Sequence, residues 1–213
     1  MRLGDIDEDD IILESELLDD EEESKATEKK PVNKKLIKTI IDYLIVILIG
    51  AGIAIFLTKV VIINAEVPTG SMKPTINEND RVLGLRLTYY FNSPERGDIV
   101  IFKCPEEGDN YNKLYVKRVI GLPGETVEIK AGQVWITTTS GEYFMLEEDY
   151  IADIPYADLG VNNATYPIPA GEYFMLGDNR NNSSDSRFWG SVTEDRILAK
   201  VMFRYFPGFE TLE

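Results

Sequence analysis

The feature that most constrains this chain is an apolar run over residues 40–63. As an α-helix the run would be about 36 Å long, whereas the hydrocarbon core of a bilayer is about 30 Å thick. Asp42 and Lys59 lie near its two ends, where a charged side chain can reach the membrane interface. The sequence therefore predicts one tilted transmembrane helix, which we place at residues 39–63.

The charges before this run predict its orientation. Lysines cluster there, and the positive-inside rule puts such a cluster in the cytoplasm and residues 64–213 outside the cell membrane. A basic region before an apolar one is also typical of a cleaved signal peptide, with Asn64-Ala65-Glu66 as the place to look for cleavage. The run is too long for that and starts unusually far along the chain. We interpret it as an uncleaved, single-pass anchor in the membrane lipid.

Residues 1–38 are predicted to be a cytoplasmic tail, acidic first and then basic. The acidic part, residues 1–24, is typical of a disordered, solvated segment. An alternative is a short docking helix, because five apolar residues within it could form one stripe: Ile11, Ile12, Leu13, Leu17 and Leu18.

Residues 64–213 are rich in short β-type segments that are separated by turn signals such as Gly121-Leu122-Pro123-Gly124. The predicted fold is mainly β: an antiparallel β-sheet catalytic domain that follows one transmembrane helix and a disordered acidic tail. The predicted strands are 81–85, 98–102, 114–120, 126–129, 133–136 and 172–176.

Two stretches of this region have a further interpretation. Residues 137–168 are polar and acidic and are predicted to be a variable excursion from the sheet, in the manner of a flap. Gly-Glu-Tyr-Phe-Met-Leu occurs twice, at 141–146 and 171–176, which predicts two strands with similar packing demands rather than a duplicated unit.

Composition excludes several kinds of site. The chain has no histidine, so a Ser-His-Asp triad, a Cys-His pair and a His-ligated metal site are impossible. Its single cysteine, Cys104, cannot build a Cys-rich zinc site or an internal disulfide. The net charge of -15 argues against a nucleic-acid partner. We predict no metal and no cofactor.

Ser71 is the candidate nucleophile. It lies shortly after the apolar run, in the stretch Pro68-Thr69-Gly70-Ser71-Met72-Lys73-Pro74-Thr75. Gly70 can adopt backbone angles that other residues avoid, and the two prolines prevent a helix, so a turn is expected to present the hydroxyl. An ordinary polar loop is the alternative. Without histidine, the base for Ser71 must be a carboxylate or a lysine that burial keeps neutral.

Lys117 is the best candidate for that base. Alternation along its strand puts Tyr115, Lys117 and Val119 on one face and Arg118 on the other, so each face carries one basic residue among apolar neighbours. Burial would lower the pKa of the Lys117 ammonium, as a general base requires. Lys103 and Lys113 adjoin a polar loop and should stay protonated.

A third polar stretch, residues 177–190, follows the last predicted strand and mixes hydroxyls, charges and a tryptophan. As a plain loop it would only connect elements. Either Ser183 or Ser186 could hold the lysine amine, and Asp185 could form an ion pair with Arg187.

Together these segments resemble the bacterial type I signal peptidase family. The segments that carry the resemblance are P-T-G-S-M-K-P-T at 68–75, R-G-D-I-V-I-F at 96–102, Y-V-K-R-V-I-G-L-P-G-E at 115–125 and G-D-N-R-N-N-S-S-D-S-R-F-W-G at 177–190. The resemblance runs from the anchor to about Lys200 and excludes the acidic tail. The single anchor is similar to the form common in Gram-positive bacteria.

The resemblance implies a membrane-bound serine endopeptidase with a Ser/Lys dyad. Ser71 would be the nucleophile, Lys117 the general base, and the Ser71 backbone N–H with the Thr69 hydroxyl the oxyanion hole. Thr69 stands where many relatives have serine. Other roles are implied for the flanking residues: Ser183 would orient the Lys117 amine, Asp178, Asp185 and Arg187 would brace the site, Met72 would pack beneath Ser71, and Arg118 would be structural.

The resemblance also implies the partners. These are secretory preproteins with small residues at -1 and -3 of the cleavage site, bound extended against a strand edge, close to the protein translocation machinery. Two competing interpretations are a self-cleaving repressor-type Ser/Lys protease, which would bring a DNA-binding domain, and a catalytically silent, membrane-anchored β domain that binds a partner.

Overall fold

The computed structural model describes residues 33–106, 108, 111–151 and 163–212. The predicted acidic run 1–24 and its docking stripe lie outside these residues. The described residues divide into two units between Ala51 and Gly52.

The apolar run forms helix α1, Lys34–Phe56, which continues into a π-helical turn, Leu57–Val61. The Asn33 side chain accepts hydrogen bonds from the first free N–H groups of α1, at Lys35 and Leu36, as a helix cap does. None of the residues of α1 is buried, and the stretch Lys34–Val61 is long and apolar enough to cross a membrane.

The predicted anchor extended too far along the chain. Ile62 is in the extended conformation, and with Ile63 it begins the first strand of the sheet, where both residues pair with the next strand. Apolarity alone could not mark this boundary, because Ile63 is buried in the protein core instead of facing lipid.

Within the described residues, twelve strands follow in chain order: β1 Ile62–Glu66, β2 Arg81–Leu85, β3 Ile99–Lys103, β4 Leu114–Gly121, β5 Thr126–Lys130, β6 Gln133–Thr137, β7 Tyr143–Met145, β8 Ala164–Pro167, β9 Glu172–Leu176, β10 Val192–Thr193, β11 Ile197–Phe206 and β12 Glu210–Thr211. Short helical turns lie between them: α2 Thr88–Phe91, α3 Ser186–Trp189 and the 3-10 turn Glu194–Arg196.

The strands form two antiparallel sheets. The larger has the order β1-β2-β11-β3-β4-β9-β10, with β12 added to β11, and the smaller has the order β7-β6-β5-β8. The mainly antiparallel β fold predicted from the sequence is thus confirmed. The six predicted strands correspond to β2 to β6 and β9, within one or two residues at each end.

β11 was not predicted, although it lies between β2 and β3 in the larger sheet. Its sequence does carry a strand signal. Ile197, Ala199 and Val201 are buried and alternate with the less buried Leu198 and Lys200.

β4 is covered on both sides by apolar residues. Val116, Val119 and Ile120 each belong to a different cluster of buried side chains. This is why alternation along β4 leaves no polar face, and why a lysine in the middle of the strand is taken out of water.

The two Gly-Glu-Tyr-Phe-Met-Leu segments do not have similar packing demands. In β9, residues Tyr173 to Leu176 are all buried, whereas β7 is a short edge strand with Tyr143 and Met145 exposed. Position in the sheet, which the six-residue pattern does not encode, decides their burial.

Two strands within the excursion 137–168 belong to the smaller sheet. β7 pairs with β6, and β8 pairs with β5. The predicted excursion thus includes two strands that lie apart from the larger sheet; residues 152–162 lie outside the described part of the chain.

Candidate active site

Ser71 lies in the loop that connects β1 to β2. The base of this loop is closed by two backbone bonds, from Val67 N to Asp80 O at 2.9 Å and from Asn79 N to Val67 O at 2.8 Å. Within it the N–H of Lys73 donates to Gly70 O at 3.2 Å, which forms a turn around Ser71. The stretch thus presents a serine on a turn, as predicted.

The reason for the glycine before the nucleophile differs from the prediction. Gly70 does not have a positive φ; instead, a Cβ at this position would come within 2.7 Å of Glu78 Oε1. Glu78 is held there by an ion pair with Lys73 at 3.1 Å. An unusual backbone angle therefore does not explain the glycine, and the exposed Lys73–Glu78 pair could shift to admit a side chain.

Lys117 Nζ donates to Ser71 Oγ at a distance of 2.6 Å. The lysine is 4% exposed and the serine 7% exposed. The bond therefore joins two buried groups, one on β4 and one on the loop between β1 and β2. The rival lysines, Lys103 and Lys113, are both exposed.

Burial lowers the pKa of Lys117 from 10.5 to about 8. Removal of the ammonium from water is the largest cause, and the nearby positive charge of Arg187 acts in the same direction. Asp185, Asp178 and Cys104 act against it, but they do not restore the ordinary value. A substantial fraction of Lys117 is therefore neutral near physiological pH.

A groove leads to this pair. It is lined by the edge of β1, the first half of β4 and the Ser71 loop, including Ala65, Val67, Leu114 and Val116. β1 is the last strand of the larger sheet, so its outer edge has no neighbouring strand among the described residues. An extended peptide could pair with that edge and bring a carbonyl to Ser71.

Thr69 lies at the mouth of the site. Its Oγ1 is 3.4 Å from Ser71 Oγ, and the residue is exposed. The Thr69 hydroxyl and the Ser71 backbone N–H are thus close to the nucleophile, where an oxyanion would form.

Arg118 and Asp178 form a buried ion pair behind the Ser71 loop. Arg118 Nε and Nη2 donate to the two carboxylate oxygens of Asp178 at 2.9 and 2.7 Å, and Nη1 donates to Gly97 O at 2.9 Å. Asp178 also accepts a bond from Thr75 Oγ1 at 2.6 Å. β4 and the 177–190 loop are therefore joined to the Ser71 loop.

Asp185 and Arg187 form the second buried ion pair, with Arg187 Nε and Nη2 each 2.8 Å from a carboxylate oxygen. Asp185 Oδ2 also accepts the backbone N–H of Gly177 at 3.1 Å, and Ser186 Oγ accepts that of Met175 at 2.9 Å. These bonds fix the loop at its exit from β9.

The predicted bond from Ser183 to Lys117 is not formed. Ser183 Oγ is buried and has no hydrogen-bond partner among the described residues. It lies against Gly177, where a Cβ would be 2.3 Å from it and 2.5 Å from Ser71 O. Ser186, the other candidate, is used by the backbone of β9.

Met72 is fully buried in the cluster that contains Val67 and Ile76. Beside it, Asn179 contributes two bonds that sequence reasoning missed: its N–H donates to Ser71 O and its Nδ2 to Gly70 O, both at 3.0 Å. The signal for Asn179 was present in the G-D-N-R motif, but its partner could not be deduced without the fold.

Cys104 is free and buried, and burial raises the pKa of its thiol. Within the described ranges no group of three or more His, Cys, Asp or Glu side chains could hold a metal ion. The arrangement can thus supply a nucleophile, a neutral amine and hydrogen-bond donors for acyl transfer.

The chain is similar to known proteins over most of its length. Residues 40–206 match the family described as signal peptidase, peptidase S26. The chain is 41% identical over 145 residues to signal peptidase I of Leptolyngbya laminosa. The aligned region covers 66% of this chain and 67% of that protein. It is 35% identical over 190 residues to probable signal peptidase I-2 of Synechocystis sp., covering 87% and 80% of the two chains. Signal peptidase IB of Staphylococcus aureus is 33% identical over 186 residues, covering 81% and 93%.

Proposed function

The chain belongs to the signal peptidase family, peptidase S26, and on that premise we propose that it is a membrane-bound serine endopeptidase that removes N-terminal signal peptides from exported preproteins. The resemblance seen in the sequence motifs is thereby confirmed. The observation that carries the proposed mechanism is the 2.6 Å contact between the buried Lys117 Nζ and Ser71 Oγ.

In the proposed first step, the neutral amine of Lys117 accepts the proton of Ser71 Oγ as the oxygen attacks the scissile carbonyl carbon. Only the neutral form can do this, and burial makes that form available. The negative charge that develops on the carbonyl oxygen is stabilised by the Ser71 backbone N–H and the Thr69 hydroxyl.

The second half of the cycle uses the same lysine. The protonated Lys117 gives its proton to the leaving amine as the peptide bond breaks, which leaves the signal peptide as an ester on Ser71. Neutral Lys117 then takes a proton from a water that attacks the ester and gives it to Ser71 Oγ as the ester bond breaks, which releases the signal peptide with a new carboxyl terminus.

Substrate binding is proposed to use the groove beside β1. Backbone pairing with the open edge of β1 would supply affinity without regard to sequence, and the shallow apolar lining would favour small side chains at -1 and -3.

The localisation is proposed from the sequence around α1. The apolar stretch Lys34–Val61 would anchor the protein in the cell membrane as a single pass, with the lysines before it in the cytoplasm. Residues 62–70 are all that separate this stretch from Ser71, so the nucleophile follows the anchor by a short length of chain, as a cleavage site follows the apolar core of a signal peptide. A position close to the translocation machinery fits this arrangement.

The test is cleavage of a preprotein bearing an Ala-x-Ala site by the full-length, detergent-solubilised protein, with sequencing of the new N-terminus. Wild type should cleave after the second Ala, and Ser71→Ala and Lys117→Ala should not. Lys103→Ala and Lys113→Ala are the matched controls, since both lysines are exposed, and should cleave as wild type does.

If Lys117→Ala still cleaves the preprotein, the general base must be another residue. A folded wild type that cleaves nothing would contradict the proposed function and favour a silent, membrane-anchored binding domain.

A further inference from the structure

Two residues of the β7–β8 connection, Glu148 and Tyr150, contact the polar scaffold behind the catalytic pair. The sequence placed them in the variable excursion, away from the predicted site. In the structure each touches a buried arginine: Glu148 is paired with Arg180, and Tyr150 lies against Arg118.

The Glu148–Arg180 pair is almost completely removed from water, with side chains 6% and 3% exposed. Both guanidinium nitrogens Nη1 and Nη2 donate to the Glu148 carboxylate, the first at 3.0 Å. Tyr150 donates its hydroxyl to the same carboxylate at 2.7 Å. Because a buried guanidinium needs a partner, Glu148 holds Arg180 in one position.

Arg180, which Glu148 holds in place, also bonds to the backbone of Gly177 beside the Ser71 loop. Its Nε donates to Gly177 O at 3.1 Å. Gly177 packs so closely on the Ser71 loop that a Cβ there would lie 2.5 Å from Ser71 O. The Arg180 carbonyl also accepts a bond from Arg187 Nη2 at 2.8 Å, which links it to the Asp185–Arg187 pair.

Tyr150 restrains the second arginine. The Arg118 guanidinium carbon is 3.9 Å from the centre of the Tyr150 ring, which is stacking distance. The other side of Arg118 holds Asp178, and Asp178 holds Thr75 of the Ser71 loop. The ring thus covers one face of a guanidinium whose edge donates to Asp178 and to Gly97 O.

We propose that Glu148 and Tyr150 are positioning residues for the Ser71–Lys117 pair, acting through Arg180 and Arg118. This inference rests on the proposed function. The described end of the excursion then serves as the outer support of the active site, although it is far from the catalytic motifs in the sequence and contributes nothing to the groove beside β1.

The experiment compares steady-state cleavage of one preprotein by full-length wild type and by the variants Glu148→Gln, Tyr150→Phe and Tyr150→Leu. Glu147→Gln and Asp149→Asn are matched controls, because they remove a negative charge from the exposed residues on either side of Glu148. A thermal unfolding curve for each variant fixes an assay temperature at which all are folded.

Displacements of about 1 Å at a reacting group can cost on the order of 100-fold in rate, so we expect Glu148→Gln to lower kcat about 10- to 100-fold. KM should change by less than about twofold, since the groove is not touched, and both controls should match wild type within the same factor. Tyr150→Leu should lower kcat by about 10-fold, and Tyr150→Phe, which keeps the ring on Arg118, should recover most of that loss.

A Glu148→Gln variant that melts earlier but keeps the wild-type kcat would overturn the proposal, because the contact would then serve stability alone. Equal losses in the Glu147→Gln control would overturn it as well. If Glu148→Gln does not fold, an unchanged kcat in Tyr150→Leu would likewise overturn the proposal. An inactive wild type would contradict the proposed function itself, and this inference with it.

Discussion

The burial of Lys117 makes a quantitative prediction about pH. With a pKa of about 8, roughly one molecule in ten has a neutral Lys117 at pH 7, against about one in 3,000 for a lysine at its ordinary value. The base is the neutral form, so activity is low below this pKa and rises as the pH rises through it. We therefore expect kcat/KM to increase about tenfold per pH unit up to pH 7 and to level off by about pH 9.

The assay is initial-rate cleavage of a preprotein segment that has no group titrating between pH 6 and pH 11, in detergent, with kcat/KM taken at each pH. This quantity reports the pKa of the free enzyme. Incubation at each pH followed by assay at one common pH separates ionisation from irreversible inactivation. Lys103→Ala is the control, because its exposed side chain should leave the midpoint unchanged.

If kcat/KM reaches half of its maximum only near pH 10, the base is a solvated lysine. The buried arrangement of Lys117 would then not be the catalytic one. A flat profile, with chemistry shown to be rate-limiting, would exclude a titrating base altogether. Lys117→Arg adds a second check: it keeps the positive charge but cannot lose its proton in this range, so no activity should return at high pH.

Three further outcomes follow from the same geometry. Thr69→Val should lower kcat by about 100-fold or more with little change in KM, because an oxyanion donor is removed, whereas Thr69→Ser should retain activity. Arg118→Met should lower the free energy of unfolding, measured with denaturant, by about 3–5 kcal/mol, because it leaves the fully buried Asp178 carboxylate without its partner. Gly177→Ala should lower kcat while the protein remains folded, since its Cβ would press on Ser71 O. A variant with the wild-type kcat would show that the Ser71 loop can shift without loss of activity.

Much of this site could be predicted from the sequence, because the information was local. The turn around Ser71 was indicated by glycine and proline within a few residues of the serine. The absence of histidine left few candidates for the base, and the apolar neighbours of Lys117 along one strand pointed to its burial. Asp185 and its partner Arg187 lie two residues apart in a stretch dense in turn-forming residues, whereas a role for Asp178 was implied only by the family resemblance.

What the sequence could not show are contacts between residues far apart in the chain. Asp178 was expected to brace the site, but its partner Arg118 is on β4 and its second partner Thr75 is on the Ser71 loop. Ser183 was placed on the lysine by resemblance, whereas in the structure Gly177 lies against it and its hydroxyl has no partner among the described residues. The sequence shows which polar residues a loop contains, but not which residues elsewhere in the chain they contact.

The strands beside Lys117 explain why a base can be made here from a lysine. In a sheet with one face in water, a lysine at this position would be solvated and would keep its proton. β4 instead runs between β3 and β9, with Val116, Val119 and Ile120 in three separate apolar clusters, so apolar side chains pack on both faces of the strand and Lys117 is only 4% exposed. Asp185 and Asp178 oppose the fall in the pKa of Lys117, whereas the positive charge of Arg187, which is paired with Asp185, adds to it. Removal of the ammonium from water outweighs these carboxylates, so the pKa of Lys117 falls to about 8 and a position inside a buried strand supplies the neutral amine.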